Sequence, residues 1–138
     1  MKVREAMAKT VSSAQKDERI VDVAKKMKQE DAGFIPIVED GGKLIGVVTD
    51  RDIVIRCIAS GHNPQSDTVE HCMTQQTITI TPEEEIDQAA RKMEQQEIRR
   101  LAVTENGRLV GVLSHGNLVQ ATGGKVAEKV TEGVTRGA

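Results

Sequence analysis

The sequence predicts an α/β fold of two halves related by a pseudo-twofold, each a small sheet packed on helices. Three observations carry this expectation. The stretch Leu44-Ile45-Gly46-Val47-Val48-Thr49-Asp50-Arg51-Asp52-Ile53-Val54 recurs as Leu109-Val110-Gly111-Val112-Leu113-Ser114-His115-Gly116-Asn117-Leu118-Val119. The recurrence keeps register: Met7 and Met73, Ile20 and Ile86, Ala24 and Ala90, Met27 and Met93, and Ile35 and Leu101 are each 66 apart, while Gly46 and Gly111, Thr49 and Ser114, and Asp52 and Asn117 are each 65 apart. Both copies also run helix, strand, strand, helix. The one-residue change falls where Asp40-Gly41-Gly42-Lys43 is longer than Asn106-Gly107-Arg108, in a turn, where a length change is tolerated. A long repeat present only twice argues for two lobes with a cleft on each side of their seam, not for a solenoid.

Taken in order, Val3, Ala6 and Met7 fit a short amphipathic turn, and Thr10 to Ser12 a brief strand. Ile20, Val23, Ala24 and Met27 fall at i, i+3, i+4 and i+7, one helical face. Asp17 and Glu18 suit its start and Gly33 its end. Phe34-Ile35-Pro36-Ile37-Val38 reads as a strand, with its proline at an edge or where no N–H is needed. A hairpin through Gly41-Gly42 leads to Leu44–Val48, and Asp52 to Ser60 is helical by pattern.

The second copy opens with Thr68–Met73 as a counterpart of the first helix. Thr81-Pro82-Glu83-Glu84 then signals a helix start, with a hydroxyl cap and proline at the first position. Ile86, Ala89, Ala90 and Met93 give that helix its apolar face, and Asn106-Gly107 joins strands 100–103 and 109–113. The expected domains are 1–64 and 65–122, with 123–138 as a tail. In the tail, Val126, Val130 and Val134 fit either a weak helix or a frayed end.

Bulk numbers exclude several classes of function. With 138 residues and a formal net charge of −2, no basic field advertises nucleic acid. One phenylalanine, no Trp and no Tyr argue against base-stacking platforms. No apolar run approaches a membrane span, and the charged N-terminus lacks a signal-peptide apolar region. Cys57 and Cys72 sit in no C-x-x-C pattern and read as free thiols in a reducing cytoplasm.

The chemistry concentrates where each glycine-containing strand turns into its helix. Thr49 and Asp52, or Ser114 and Asn117, stand three apart at that elbow. One reading is a capping box, in which the hydroxyl caps the helix and the third residue bonds back. The other is a sugar-and-phosphate site. There the helix N-terminus faces an anion, and the carboxylate accepts from a ribose diol.

With these residues in view, the chain resembles a tandem pair of CBS domains, the cystathionine β-synthase type, over roughly residues 3 to 120. The resemblance rests on Gly46-x-x-Thr49-x-x-Asp52, its echo Gly111-x-x-Ser114-x-x-Asn117, the Met7 and Met73 openings and the element order. It implies two clefts between the halves that take an adenosine-containing ligand, such as AMP, ADP, ATP or S-adenosylmethionine. Thr49 and Ser114 would meet phosphate, and Asp52 and Asn117 the ribose. Phe34 and Arg100 would line the clefts, backbone around Val11 and Ile78 would flank adenine, and either Arg51 or Arg99 would assist the first site. Asn117 departs from the family acid, since a carboxamide lacks the charge-assisted acceptance of a carboxylate.

The resemblance further implies a regulatory module that acts on a partner protein by population shift, as a homodimer and without a cofactor. Val54, Ile55, Ile58 and Ile53 lie around more than one face of the elbow helix, more than one lobe can bury. The alternative is a structural or interaction module with vestigial clefts. An enzyme is disfavoured, because no nucleophile–base set or metal-ligand spacing stands out among His62, His71, His115 and the cysteines.

Overall fold

The computed structural model describes residues 1–75 and 77–123. The chain divides into two units, one of Ser12–Thr77 and one joining Met1–Val11 to the chain from Ile78 onward. In chain order the elements are α1 (Val3–Ala6), α2 (Ile20–Glu30), β1 (Phe34–Val38), β2 (Leu44–Thr49) and α3 (Asp50–Asp52), which continues as a π-helix over Ile53–Ile58. A 3₁₀ turn (Val69–His71), β3 (Thr79–Ile80), α4 (Ile86–Gln96), β4 (Arg100–Glu105), β5 (Arg108–Ser114) and α5 (His115–Thr122) follow. The tail, read as either a weak helix or a frayed end, lies outside the described residues from 124 onward. Among the described residues, no helix is long and apolar enough to cross a membrane.

The Ser12–Thr77 unit packs Ile20, Val23 and Met27 of α2 against Ile35, Ile37 and Val48 of the antiparallel β1–β2 pair. Ala14 bridges β1 in parallel on its other side, at Ile37. The Pro36 carbonyl accepts from the Ala14 N–H at 3.0 Å. Its missing N–H therefore faces away from β2 and costs that ladder nothing. The strand expected at Thr10–Ser12 is thus replaced by this single bridge two residues further on.

The other unit repeats the plan with a three-stranded sheet, β3-β4-β5, in which β3 runs parallel to β4. Val3, Ile80, Ile86, Met93, Leu101, Val103, Leu113 and Leu118 form its core. The Asn106-Gly107 turn holds both residues at positive φ, 55° and 79°, as a tight hairpin requires.

Four local expectations change. Helix α2 ends not at Gly33 but at Asp31, in the left-handed region at φ 51°, and Glu97 does the same after α4 at φ 54°. Gly33 instead makes room for Asp50, whose carboxylate would stand 2.5–2.8 Å from any Cβ there. Thr81–Glu84 closes a turn in which Thr81 N–H donates to Glu84 Oε2. Helix α4 waits until Ile86, because Glu85 first pairs with Lys2. Thr68–Met73 forms only a 3₁₀ turn.

The cysteines are the fourth correction: Cys57 and Cys72 form a disulfide, with Cα atoms 5.7 Å apart. The π-helix and the 3₁₀ turn each bury their cysteine in one core, a proximity that a spacing of 15 residues does not announce. The free-thiol basis for the cytoplasmic expectation falls with it.

The repeat's glycine has a structural cause. Val47 exchanges two backbone hydrogen bonds with Thr74 (3.0 and 2.8 Å), and Val112 does so with Ala8 (3.1 and 2.9 Å). A Cβ at Gly46 would lie 2.7 Å from the Thr74 carbonyl oxygen, and one at Gly111 the same distance from that of Ala8. The opening segments can approach these strands only where no side chain stands. Gly111→Ala is expected to lower unfolding stability by about 1–3 kcal/mol, as overpacking of a tight contact does. Urea unfolding measures it, and an unchanged midpoint would refute this reason for the glycine.

Candidate functional site

Each elbow is built as a closed capping box. The Asp52 N–H donates to Thr49 Oγ1 at 3.1 Å, and the Thr49 N–H donates to Asp52 Oδ2 at 2.9 Å. The Asn117 N–H donates to Ser114 Oγ at 3.0 Å, and the Ser114 N–H donates to Asn117 Oδ1 at 2.9 Å. The capping reading is therefore realised in both halves. It does not exhaust the groups: each hydroxyl acts as an acceptor in the box and keeps its own proton to donate.

The third residues differ in what they keep. Asp52 retains Oδ1, an acceptor, in a side chain only 16% exposed. The Ser114 N–H takes one lone pair of the Asn117 oxygen, and the group that the box leaves wholly uncommitted is the NH₂ donor. The first elbow offers a sugar hydroxyl an acceptor and the second offers a donor.

The sheets gather the other expected residues. Phe34 stands opposite Thr49 in the β1–β2 register. Arg100 stands opposite Ser114 in β4–β5. Since β3 is parallel to β4 with Thr79 beside Ala102, Ile78 falls at the same sheet end as Arg100 and Ser114, and it is 38% exposed. Arg51 lines a shallow hollow with Asp50, Val54 and Ile55 that includes neither Thr49 nor Asp52. Val11 is half-buried and belongs to the unit containing Ser114, not to that of Thr49.

Arg56 was missed by the sequence reading. Its guanidinium donates to Thr74 Oγ1 at 3.2 Å, and its Nε lies 3.8 Å from Asp52 Oδ1. The i, i+4 spacing from Asp52 is the signal that could have found it. The second elbow has Ala121 at the corresponding place. The π-helix from Ile53 to Ile58 leaves Val54, Ile55 and Ile58 exposed and buries Ile53, so the outward apolar face omits one of the four residues expected on it.

Each unit thus carries one elbow at the end of its own sheet, beside a facing residue. The CBS domain family model matches residues 3–58 and 69–124, and the chain belongs to that family. It is 33% identical over 118 residues to protein YlbB of Bacillus subtilis (strain 168), covering 85% of this chain and 79% of that one. The solved structure of the CBS domain pair of protein MJ0100, in complex with 5′-methylthioadenosine and S-adenosyl-L-methionine, aligns with a TM-score of 0.79 at 28% identity, over 91% of this chain and 98% of that one. A hexameric CBS-CP12 protein from bloom-forming cyanobacteria aligns at 0.73 and 26% identity, over 86% and 69%.

Proposed function

We propose that this protein is a regulatory binding module for an adenosine-containing ligand, AMP, ADP, ATP or S-adenosylmethionine. The observation that carries the reading is Asp52 Oδ1, which the capping box leaves uncommitted and Arg56 Nε approaches only to 3.8 Å, beside Thr49 and its facing Phe34. Here Asp52 accepts from ribose hydroxyls and the Thr49 hydroxyl donates to phosphate. At the other sheet end Arg100 pairs with phosphate beside Ser114, and Asn117 donates to the ribose. The methylthioadenosine and S-adenosylmethionine complex of the MJ0100 pair supports this choice of ligand class. No bond of the ligand is broken. Occupancy favours one of two arrangements, by no more than the ligand's difference in affinity for them, and a regulated partner protein reads the result.

A thermal-shift panel of adenine and guanine ligands tests the reading. A ligand at about a hundred times its dissociation constant stabilises the folded state by roughly 2.7 kcal/mol, a rise of roughly 5–15 °C for a chain of this size. No shift with any adenosine ligand at millimolar concentration would instead favour a structural module, a reading that the already closed capping boxes support.

The same proposal includes a homodimer through Val54, Ile55 and Ile58, exposed by 55, 54 and 48%. The expected light-scattering mass at tens of micromolar is that of two chains, falling to one for Ile55→Glu. A monomer mass for the parent would overturn it.

A further inference from the structure

Two lysines outside both elbows make the same unusual contact. Lys26 of α2 donates from Nζ to the Ser13 carbonyl at 2.9 Å, and Lys92 of α4 donates to the Thr79 carbonyl at 2.7 Å. Both donors and both acceptors are 66 positions apart, so the contact is repeated by the fold in two separate units. Both ammonium groups are part-buried, and Lys26 is shared with Glu18 Oε1 at 2.8 Å. A lysine on an edge strand can serve simply to block pairing. These two stand on helices and reach across to a neighbouring segment, β3 for Lys92 and the residue before the Ala14 bridge for Lys26.

The strand each one reaches is the least supported piece of its sheet. β3 has only Thr79 and Ile80 paired to β4, and its counterpart is the single bridge at Ala14. Successive carbonyls in a strand alternate in direction. Ala14 accepts from the Val38 N–H of β1, so the Ser13 carbonyl points away from the sheet, where the lysine holds it. Strands lie about 4.8 Å apart, so β5 to β3 spans about 10 Å, the reach of a nucleoside from its ribose to the far edge of its base. A ribose at the Ser114–Asn117 elbow therefore puts its base against the start of β3, where Ile78 is exposed.

Resting on the ligand class proposed above, we infer that Lys26 and Lys92 are positioning residues. Each fixes, through one carbonyl, the short strand that the base lies against, and so sets base preference. They touch the backbone and not the ligand.

The test uses the full chain and the variants Lys26→Met, Lys92→Met, Lys26→Arg and Lys92→Arg. In ligand-free protein, each methionine variant is expected to speed amide hydrogen exchange in its own short strand, around residues 12–15 or 78–81, while α2 and α4 stay protected. Calorimetric titration with AMP, GMP and ribose 5-phosphate is expected to show a loss of about three- to tenfold for AMP, a shrunken AMP-to-GMP ratio and unchanged ribose 5-phosphate affinity. Arginine, which still donates, restores both. Unchanged exchange in the short strands overturns the inference, as does an equal loss for all three ligands. A parent that binds neither AMP nor ribose 5-phosphate overturns the ligand reading and base preference with it, whereas the exchange result still decides whether the lysines tether the strands.

Discussion

Asp52→Ala is expected to weaken adenosine-ligand binding at the first elbow by roughly ten- to a hundredfold. The variant removes the carboxylate oxygen that the capping box leaves uncommitted, and losing a charge-assisted bond in a half-buried place costs about 1.5–3 kcal/mol. It also opens the capping box, because Asp52 Oδ2 accepts from the Thr49 N–H. Stability without ligand should therefore fall as well, by about 1 kcal/mol. The two effects separate when calorimetric titration is read beside ligand-free melting. Asn117→Ala should lose less affinity, since its free group is a donor. Asn117→Asp keeps the bond to the Ser114 N–H and replaces that donor with an acceptor, so it should strengthen ribose binding at the second elbow. If Asp52→Ala melts lower yet binds as tightly as the parent, the elbow is a helix cap and nothing more.

Reducing the Cys57–Cys72 disulfide is expected to lower unfolding stability by about 3 kcal/mol, the chain-entropy value for a closed loop of about 15 residues. Both cysteines are fully buried, and the bond ties the helix behind the Thr49–Asp52 elbow to the segment that pairs with β2. The other unit has Thr122 and Ala6 at the matching positions, so the cross-link strengthens one elbow only. Urea unfolding with and without dithiothreitol, beside a thiol count on denatured protein, measures the effect. Two titratable thiols and an unmoved midpoint would restore the free-thiol reading.

These two experiments fall on either side of what the sequence makes legible. The elbows, the helical faces of Ile20–Met27 and Ile86–Met93 and the Asn106-Gly107 hairpin are local patterns, and local patterns survive in one dimension. What escaped was set by distant neighbours. Helix α4 starts after Glu85 because that residue pairs with Lys2. Gly33 lies against the Asp50 side chain and not at a helix end. The disulfide, the Arg56 contact to Thr74 and the two lysine tethers each join residues on different elements. The change of Asn117 was visible in the sequence. That its free group is a donor emerged only once the Ser114 N–H was seen to take its oxygen.

The opening segments also govern the order in which the molecule can be completed during synthesis. Everything that Ser12–Thr77 needs is contiguous, so this unit can close once its last residue leaves the ribosome. Ala8, by contrast, pairs with Val112. Residues 1–11 must wait for β5, across a loop whose closure is entropically slow to reward. A circular permutant that begins at Ser12 and carries residues 1–11 after residue 138 would shorten that wait. It should refold its later unit faster, with the native pairings unchanged.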